Sequence, residues 1–201
     1  MQTPSPTRAA ITGVILAGGQ SSRLGGHDKG LRPFAGRPLV EWVIAALAPQ
    51  VDTLLISANR NLERYAGYGV PVVTDLDPGF QGPLAGVRSA MRAAATAWII
   101  TLPCDGPYPA PDLVARLLLA LRTQAADLAV ATDGQRLQPV HALLPVALAA
   151  DLETFLAAGE RKPTRWYARH RVALADFSDR PDCFVNINTL DDALALERRP
   201  P

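Results

Sequence analysis

Short apolar runs alternate with amphipathic stretches through the first two thirds of the chain, and no other feature limits the fold as strongly. ITGVILA from Ile11, DTLLISA from Asp52, VPVVTD from Val70, AWIITL from Ala97 and DLAVA from Asp127 read as buried strands. Between them, PLVEWVIAALA from Pro38, PLAGVRSAMRAAA from Pro83 and the segment from Pro111 to Arg122 carry apolar residues at helical spacing. Proline stands at each start, where its missing N–H costs nothing. Strands joined by helical crossovers predict an α/β fold: a three-layer, Rossmann-like, mostly parallel sheet with helices on both faces.

The pattern changes after Thr132. TDGQ is a turn signal, and LQPVHALLP reads as a strand able to return antiparallel, which makes the sheet mixed. A helix is expected from Ala147 to Ala158, then a polar, arginine-rich loop or short helix (GERKPTRWYARH). VALADF and CFVNI are candidate strands, and Thr189 is a candidate N-cap with Asp192 three residues on. With 48% hydrophobic and 19% charged residues, a 201-residue chain can bury a single core, and general disorder is excluded. One domain over 1–201 is expected.

Composition also narrows the partners. A net charge of +1 lacks the basic excess that duplex nucleic acid demands. No apolar run approaches the roughly 20 residues that span a bilayer. The N-terminal MQTPSPTRAA has no apolar core of a signal peptide, and the two cysteines show neither scaffold nor metal-ligand spacing. These features predict a soluble, cytoplasmic protein with neither nucleic-acid nor membrane partners.

The segment from Leu16 to Gly30, LAGGQSSRLGGHDKG, is the richest in chemistry. It follows a strand, where ligands of open α/β sheets bind. Glycines there admit an anion close to the backbone, and successive N–H groups can cradle phosphate. It is neither a Walker A loop nor a G-x-G-x-x-G fingerprint; an ordinary glycine-rich surface loop is an even alternative on composition alone. Lys29 tips that balance. Of 20 basic residues only Lys29 and Lys162 are lysines, so a lysine in this loop points to a need for a compact point charge. Arg23 is the second candidate cation, with a solvated surface charge as its plainer reading.

The loop, followed by GRPL, resembles the signature of nucleotidyltransferases with the nucleotide-diphospho-sugar transferase fold, and within them the molybdenum cofactor guanylyltransferase family. SANRN (57–61), TD (74–75), QGPLAGVRSAM (81–91), LPCDGPY (102–108), AGERK (158–162) and FVNINT (184–189) extend the resemblance, in order, over nearly the whole chain. The resemblance implies GMP transfer from GTP to the terminal phosphate of molybdopterin with release of pyrophosphate, aided by Mg2+. It implies nucleotide contacts at Leu16, Ala17, Gly18, Gly19, Asn59 and Asp75, phosphate contact at Lys29, and a metal on Asp105. Ser57, a further nucleotide-binding position by the resemblance, stands where the family often has asparagine. The nucleotide-binding half is then about 10–131 and the acceptor-binding half about 132–199, with transient contact to other cofactor-biosynthesis proteins expected.

Beside the resemblance, the residues have readings of their own. Asp105 sits at a strand's carboxyl end, suited to a hard cation, or else is a loop aspartate capping the next helix. Asp75 offers two acceptor oxygens to the N1–H and amino donors of guanine, or is a turn aspartate. Asn186 and Asn188, alternating on a strand, would share one face and complete a metal or pterin site, or hydrogen-bond neighbouring loops. Arg161 and Lys162, with Glu160 and Arg165, suit an acceptor phosphate or form a solvated loop. His27, His141 and His170 show no triad or metal spacing. Trp42 and Trp98 read as packing, and Trp166 as packing with a stacking platform as the exception. No covalent intermediate is needed, since an acceptor phosphate is already an anion; catalysis by Lys29, Arg23 and Asp105 would be positioning and charge neutralisation. The rivals are a cytidylyltransferase for the same pterin, a sugar-phosphate nucleotidyltransferase, and a non-catalytic nucleotide-binding module.

Overall fold

The computed structural model describes residues 11–17, 19, 28–77 and 81–197. In chain order the strands are β1 (Ile11–Leu16), β2 (Pro33–Phe34), β3 (Arg37–Pro38), β4 (Thr53–Ser57), β5 (Val72–Val73), β6 (Trp98–Pro103), β7 (Leu128–Thr132), β8 (Leu137–Pro145) and β9 (Val172–Asp176). The helices are α1 (Leu39–Leu47), α2 (Leu62–Ala66), α3 (Pro83–Ala93), α4 (Leu113–Thr123), α5 (Ala149–Ala157), α6 (Pro163–Tyr167) and α7 (Leu190–Glu197). Seven strands form one sheet in the order β5-β4-β1-β6-β8-β7-β9, and β2 pairs with β3 as a separate short hairpin. All neighbours in the large sheet run parallel except β8, which lies antiparallel between β6 and β7. The expected mixed sheet is therefore present, with LQPVHALLP as its reversed strand.

Both faces are covered, as continuous apolar strands require. On one face Ile11, Ile15 and Ile100 pack with Val43 and Leu47 of α1 and Leu113 and Leu117 of α4. On the other, Val14, Ile99 and Leu144 meet Leu84 and Val87 of α3, Leu152 of α5 and Trp166 of α6. A smaller cluster of Phe34, Leu39, Ile187, Ala193 and Leu196 seats α7 against the hairpin. Trp166 is fully buried, with its indole N–H donated to Asp151 Oδ2 at 2.8 Å, so it is no stacking platform. Among the described residues no helix is long and apolar enough to cross a membrane.

Three local expectations need correction. CFVNI is not a strand: Pro181–Phe184 is a single 3-10 turn, and residues 185–189 run irregularly into α7. The sheet offers that segment no slot, because β6, β7 and β8 are paired on both sides. The Ile187 N–H goes instead to the Asp105 carbonyl at 2.9 Å. Neither β2 nor α2 was anticipated from the sequence. The predicted cap is present and reciprocal: Asp192 N–H bonds Thr189 Oγ1 at 3.0 Å, and Thr189 N–H bonds Asp192 Oδ2 at 2.8 Å.

The outer edge of β9 is closed by side chains. Gln124 donates to the Leu174 carbonyl and accepts from the Leu174 N–H, both at 3.0 Å, as a paired strand would. Arg116 covers the Asp176 carbonyl at 3.0 Å. Unpaired edges template association. Gln124→Ala should lower the unfolding free energy measured in urea by about 1 kcal/mol or less, since water can replace the amide, yet raise concentration-dependent aggregation measured by light scattering. Unchanged scattering in the variant would remove this role.

Candidate functional site

The sheet grows outward from β1 in both directions, β4 and β5 on one side and β6 on the other, so the carboxyl ends of β1 and β6 form a topological switch point. Crevices at such points are the usual ligand sites of open α/β sheets. A cavity of about 420 Å³ opens there. Its floor is Leu16 and Ala17 ending β1, Ser57 ending β4, and Pro103 to Asp105 ending β6. Gly19, Lys29, Asp75 and the start of α3 close the sides. A Cβ on Gly86 of α3 would lie 2.5 Å from Ser57 Oγ, so glycine lets the helix ride this close to the strands.

Lys29 is the hub. Its Nζ donates to Asp105 Oδ2 at 3.1 Å and to Asn188 Oδ1 at 2.6 Å. Residues 76 and 159 positions away are thus gathered on one ammonium. A second, wider cavity of about 760 Å³ is lined by Asn186, Asn188, Phe184, the turn at 133–136 and Gln138. Lys29 lines the first and Asn188 the second, so their hydrogen bond joins the linings of the two. Asn186 and Asn188 do share a cavity, although a loop, not strand alternation, puts them there.

Asp75 faces the first cavity from beyond β5. Asn59 grips it twice, donating Nδ2 to Asp75 Oδ2 at 2.7 Å and accepting the Asp75 N–H at 2.8 Å. Burial pushes the Asp75 carboxyl above the usual aspartate range, against the lowering effect of Asn59 and Arg88. Asn59 itself does not line the cavity; its side chain works on Asp75.

Arg161 is turned inward. Its Nε donates to Gln81 Oε1 at 2.7 Å, and Nη1 to the Leu156 and Glu160 carbonyls at 2.7 Å. It ties the loop before α6 to Gln81, a cavity-lining residue. Lys162 is exposed, and Arg165 pairs with Glu160 at 2.8 Å. Burial, and Asp105 next to it, push the Cys104 thiol well up, so no thiolate nucleophile stands in the site. His141 is buried edge-on to Phe184, pushed down to about 3 by desolvation and therefore neutral.

Seven of the predicted nucleotide-site residues line one cavity: Leu16, Ala17, Gly19, Lys29, Ser57, Asp75 and Asp105. Gly18, Arg23 and His27 lie outside the described residues. Sequence reasoning missed Asp28, Gln81, Arg60 and Tyr65. Gln81 stood in a quoted segment without a role. Asp28, beside the singled-out lysine, was the available signal for the others.

Comparison with known proteins gives the family and the fold. Residues 13–174 match the model of the MobA-like NTP transferase domain. A protein of Shewanella halifaxensis named molybdenum cofactor guanylyltransferase is 47% identical over 196 residues, covering 94% of this chain and 98% of its own. One of the same name from Cupriavidus necator is 48% identical over 197 residues, covering 96% and 98%. The crystal structure of molybdopterin-guanine dinucleotide biosynthesis protein A from Archaeoglobus fulgidus superposes with a TM-score of 0.76 at 23% identity, covering 92% of this chain and 96% of that one. At that identity it speaks for the fold. Near-half identity from end to end, on a sheet whose switch point carries the matching loop, makes this chain a nucleotidyltransferase belonging to the molybdenum cofactor guanylyltransferase family, built on the MobA-like NTP transferase domain.

Proposed function

We propose that this enzyme transfers GMP from GTP to the terminal phosphate of molybdopterin and releases pyrophosphate. The observation that carries the reading is Lys29, poised between a nucleotide-sized cavity and a second cavity large enough for an acceptor, with Asp105 and Asn188 on its ammonium. GTP occupies the first cavity, its phosphates toward Gly19 and Lys29. The pterin occupies the second, beside Asn186 and Asn188, so that its phosphate reaches the α-phosphorus where the two linings join. The bond from that phosphorus to the bridging oxygen breaks as the acceptor oxygen bonds, and pyrophosphate departs with the electron pair. Residues 10–131 then serve the nucleotide and 132–199 the acceptor, with Lys162 an exposed cation on the acceptor side.

The donor set fits a hard divalent cation, and we assign Mg2+ to Asp105. Among the described residues no group of three His, Cys, Asp or Glu side chains converges. One carboxylate completed by phosphate oxygens and water is the common Mg2+ arrangement. Asn186 Oδ1, buried beside Gly106 with no hydrogen-bond partner, adds an oxygen suited to the same site. Bound there, the cation would offset negative charge on the phosphates. Lys29 does the same from its own position, and the cavity walls hold both reactants in line.

The deciding test is pyrophosphate release from each of the four ribonucleoside triphosphates with the pterin present; release with GTP alone is expected, and preference for CTP would replace guanine with cytosine. Base choice is assigned to Asp75. Asp75→Asn swaps one acceptor for a donor facing guanine's donors, so GTP affinity should fall more than CTP affinity in equilibrium binding. Equal losses would make Asp75 structural. Because the ionised form accepts both guanine donors, GTP affinity should also decline as pH falls through the raised Asp75 value, earlier than an ordinary aspartate would allow.

A further inference from the structure

Beneath the nucleotide loop lies a charged cluster that the reading above leaves without a role. Asp28 is 8% exposed, yet its side-chain oxygens are surrounded by donors. Oδ1 accepts the Tyr65 hydroxyl at 2.5 Å and the Gly30 N–H at 3.2 Å. Oδ2 accepts Asn61 Nδ2 at 2.9 Å, and Arg60 Nε stands 3.5 Å away. Burying an ion this deeply is costly unless it is both paired and hydrogen-bonded, and here it is both.

The local structure is shaped to deliver those donors. Asn61 takes the left-handed conformation (φ 52°) and opens α2, so Asn61 and Tyr65 sit one helical turn apart on the same face and converge on one carboxylate. Tyr65 is fully buried, and burial holds its hydroxyl protonated, as a donor must be. A Cβ on residue 30 would lie 2.6 Å from the Tyr65 oxygen, so glycine is needed there for the hydroxyl to reach Asp28. Arg60 also donates to the Gly19 carbonyl at 3.3 Å. The loop after β4 thus grips both described ends of the nucleotide loop.

We infer that Asp28, Tyr65, Asn61 and Arg60 form a buried latch that positions Lys29 for the triphosphate. On its C-terminal side Lys29 is held by the turn closed by the Arg32 N–H on the Lys29 carbonyl, and by Val40 N–H on Gly30. Immediately before it, Asp28 supplies the anchor. The Asp28 side chain goes down into the latch while the next side chain reaches Asp105 and Asn188. Releasing the latch frees the backbone just where the ammonium's direction is set. These are positioning residues: they act through Lys29. The inference rests on the nucleotide reading of the cavity, though not on the base or the acceptor.

The two lysines make the test direct. With 13Cε-labelled lysine the full-length protein shows one signal for Lys29 and one for Lys162, assigned by Lys29→Ala. Tyr65→Phe removes a single oxygen, and Asn61→Gly keeps the left-handed backbone while deleting the amide, so either serves if the other fails to fold. In both, the ligand-free Lys29 signal should shift or broaden while Lys162 stays. Affinity for the tightest-binding of the four magnesium triphosphates should drop by about tenfold, the scale of coupling between residues in one network. A Lys29 signal identical to the parent's in a folded variant overturns the latch, as does undiminished affinity. Failure of any triphosphate to move Lys29 in the parent would instead overturn the nucleotide reading, and the ligand-free comparison still judges the latch.

Discussion

Lys29→Ala should cut turnover by about two to three orders of magnitude, the loss expected when one preorganised partner of a developing negative charge is removed. Two consequences of the geometry reinforce that figure. Lys29 is the cation seated on Asp105 and Asn188 together, so its loss leaves the Asp105 carboxylate facing incoming phosphates without it. The Asp105 side chain is only 11% exposed, so loss of its cation should also lower stability, by more than the loss of a surface pair would. Single-turnover pyrophosphate release and a thermal melt measure the two effects separately. Turnover within threefold of the parent would remove Lys29 from the mechanism. Lys29→Arg should recover little, since a planar fork cannot present one point charge to Asp105, Asn188 and phosphate alike.

The second large effect is expected at Asp105. Asp105→Asn keeps side-chain volume and one oxygen for Lys29, and leaves the Asp105 carbonyl on the Ile187 N–H, so circular dichroism and melting should change little. What it loses is the negative charge that a hard cation needs. Activity of the parent should vanish with chelator and return with Mg2+. The variant should need far more Mg2+ to reach a much lower plateau. An unshifted Mg2+ midpoint in a folded Asp105→Asn protein would move the metal elsewhere, with Asn186 and Asn188 the next residues to change.

These residues differ in how they could be found. Asp105 is legible because it sits where an apolar run stops, and an open α/β sheet puts its ligand at such ends. Asp75 follows by the same rule, whereas Ser57 was named only through the resemblance. Lys29 is legible because lysine is scarce in this chain; Leu16, Ala17 and Gly19 came from the family resemblance. Asn59 was legible as important but not as what it is: its neighbours in sequence give no hint that its amide closes on Asp75. Arg161 was read as a phosphate ligand from its charge, and the fold turns that charge onto Gln81 and two carbonyls. Asn186 and Asn188 line one cavity together, although the strand that was to align them does not exist.

The sequence by itself determined the layers, the mixed sheet with its reversed strand, the helix cap at Thr189 and the glycine-rich loop that follows β1. All of these follow from contacts within a few residues: period, turn chemistry, capping and apolar run length. Tertiary structure alone decided the rest. It placed Asn188 against Lys29 from 159 residues away, drew Tyr65 and Asn61 onto Asp28, and denied residues 183–187 a place in the sheet. The physical reason is that a polar side chain has several acceptable partners of the same chemistry, and its own sequence neighbourhood does not choose among them. The choice is made when the apolar strands and helices pack, because packing alone brings distant donors and acceptors into reach and removes the water that would otherwise satisfy them.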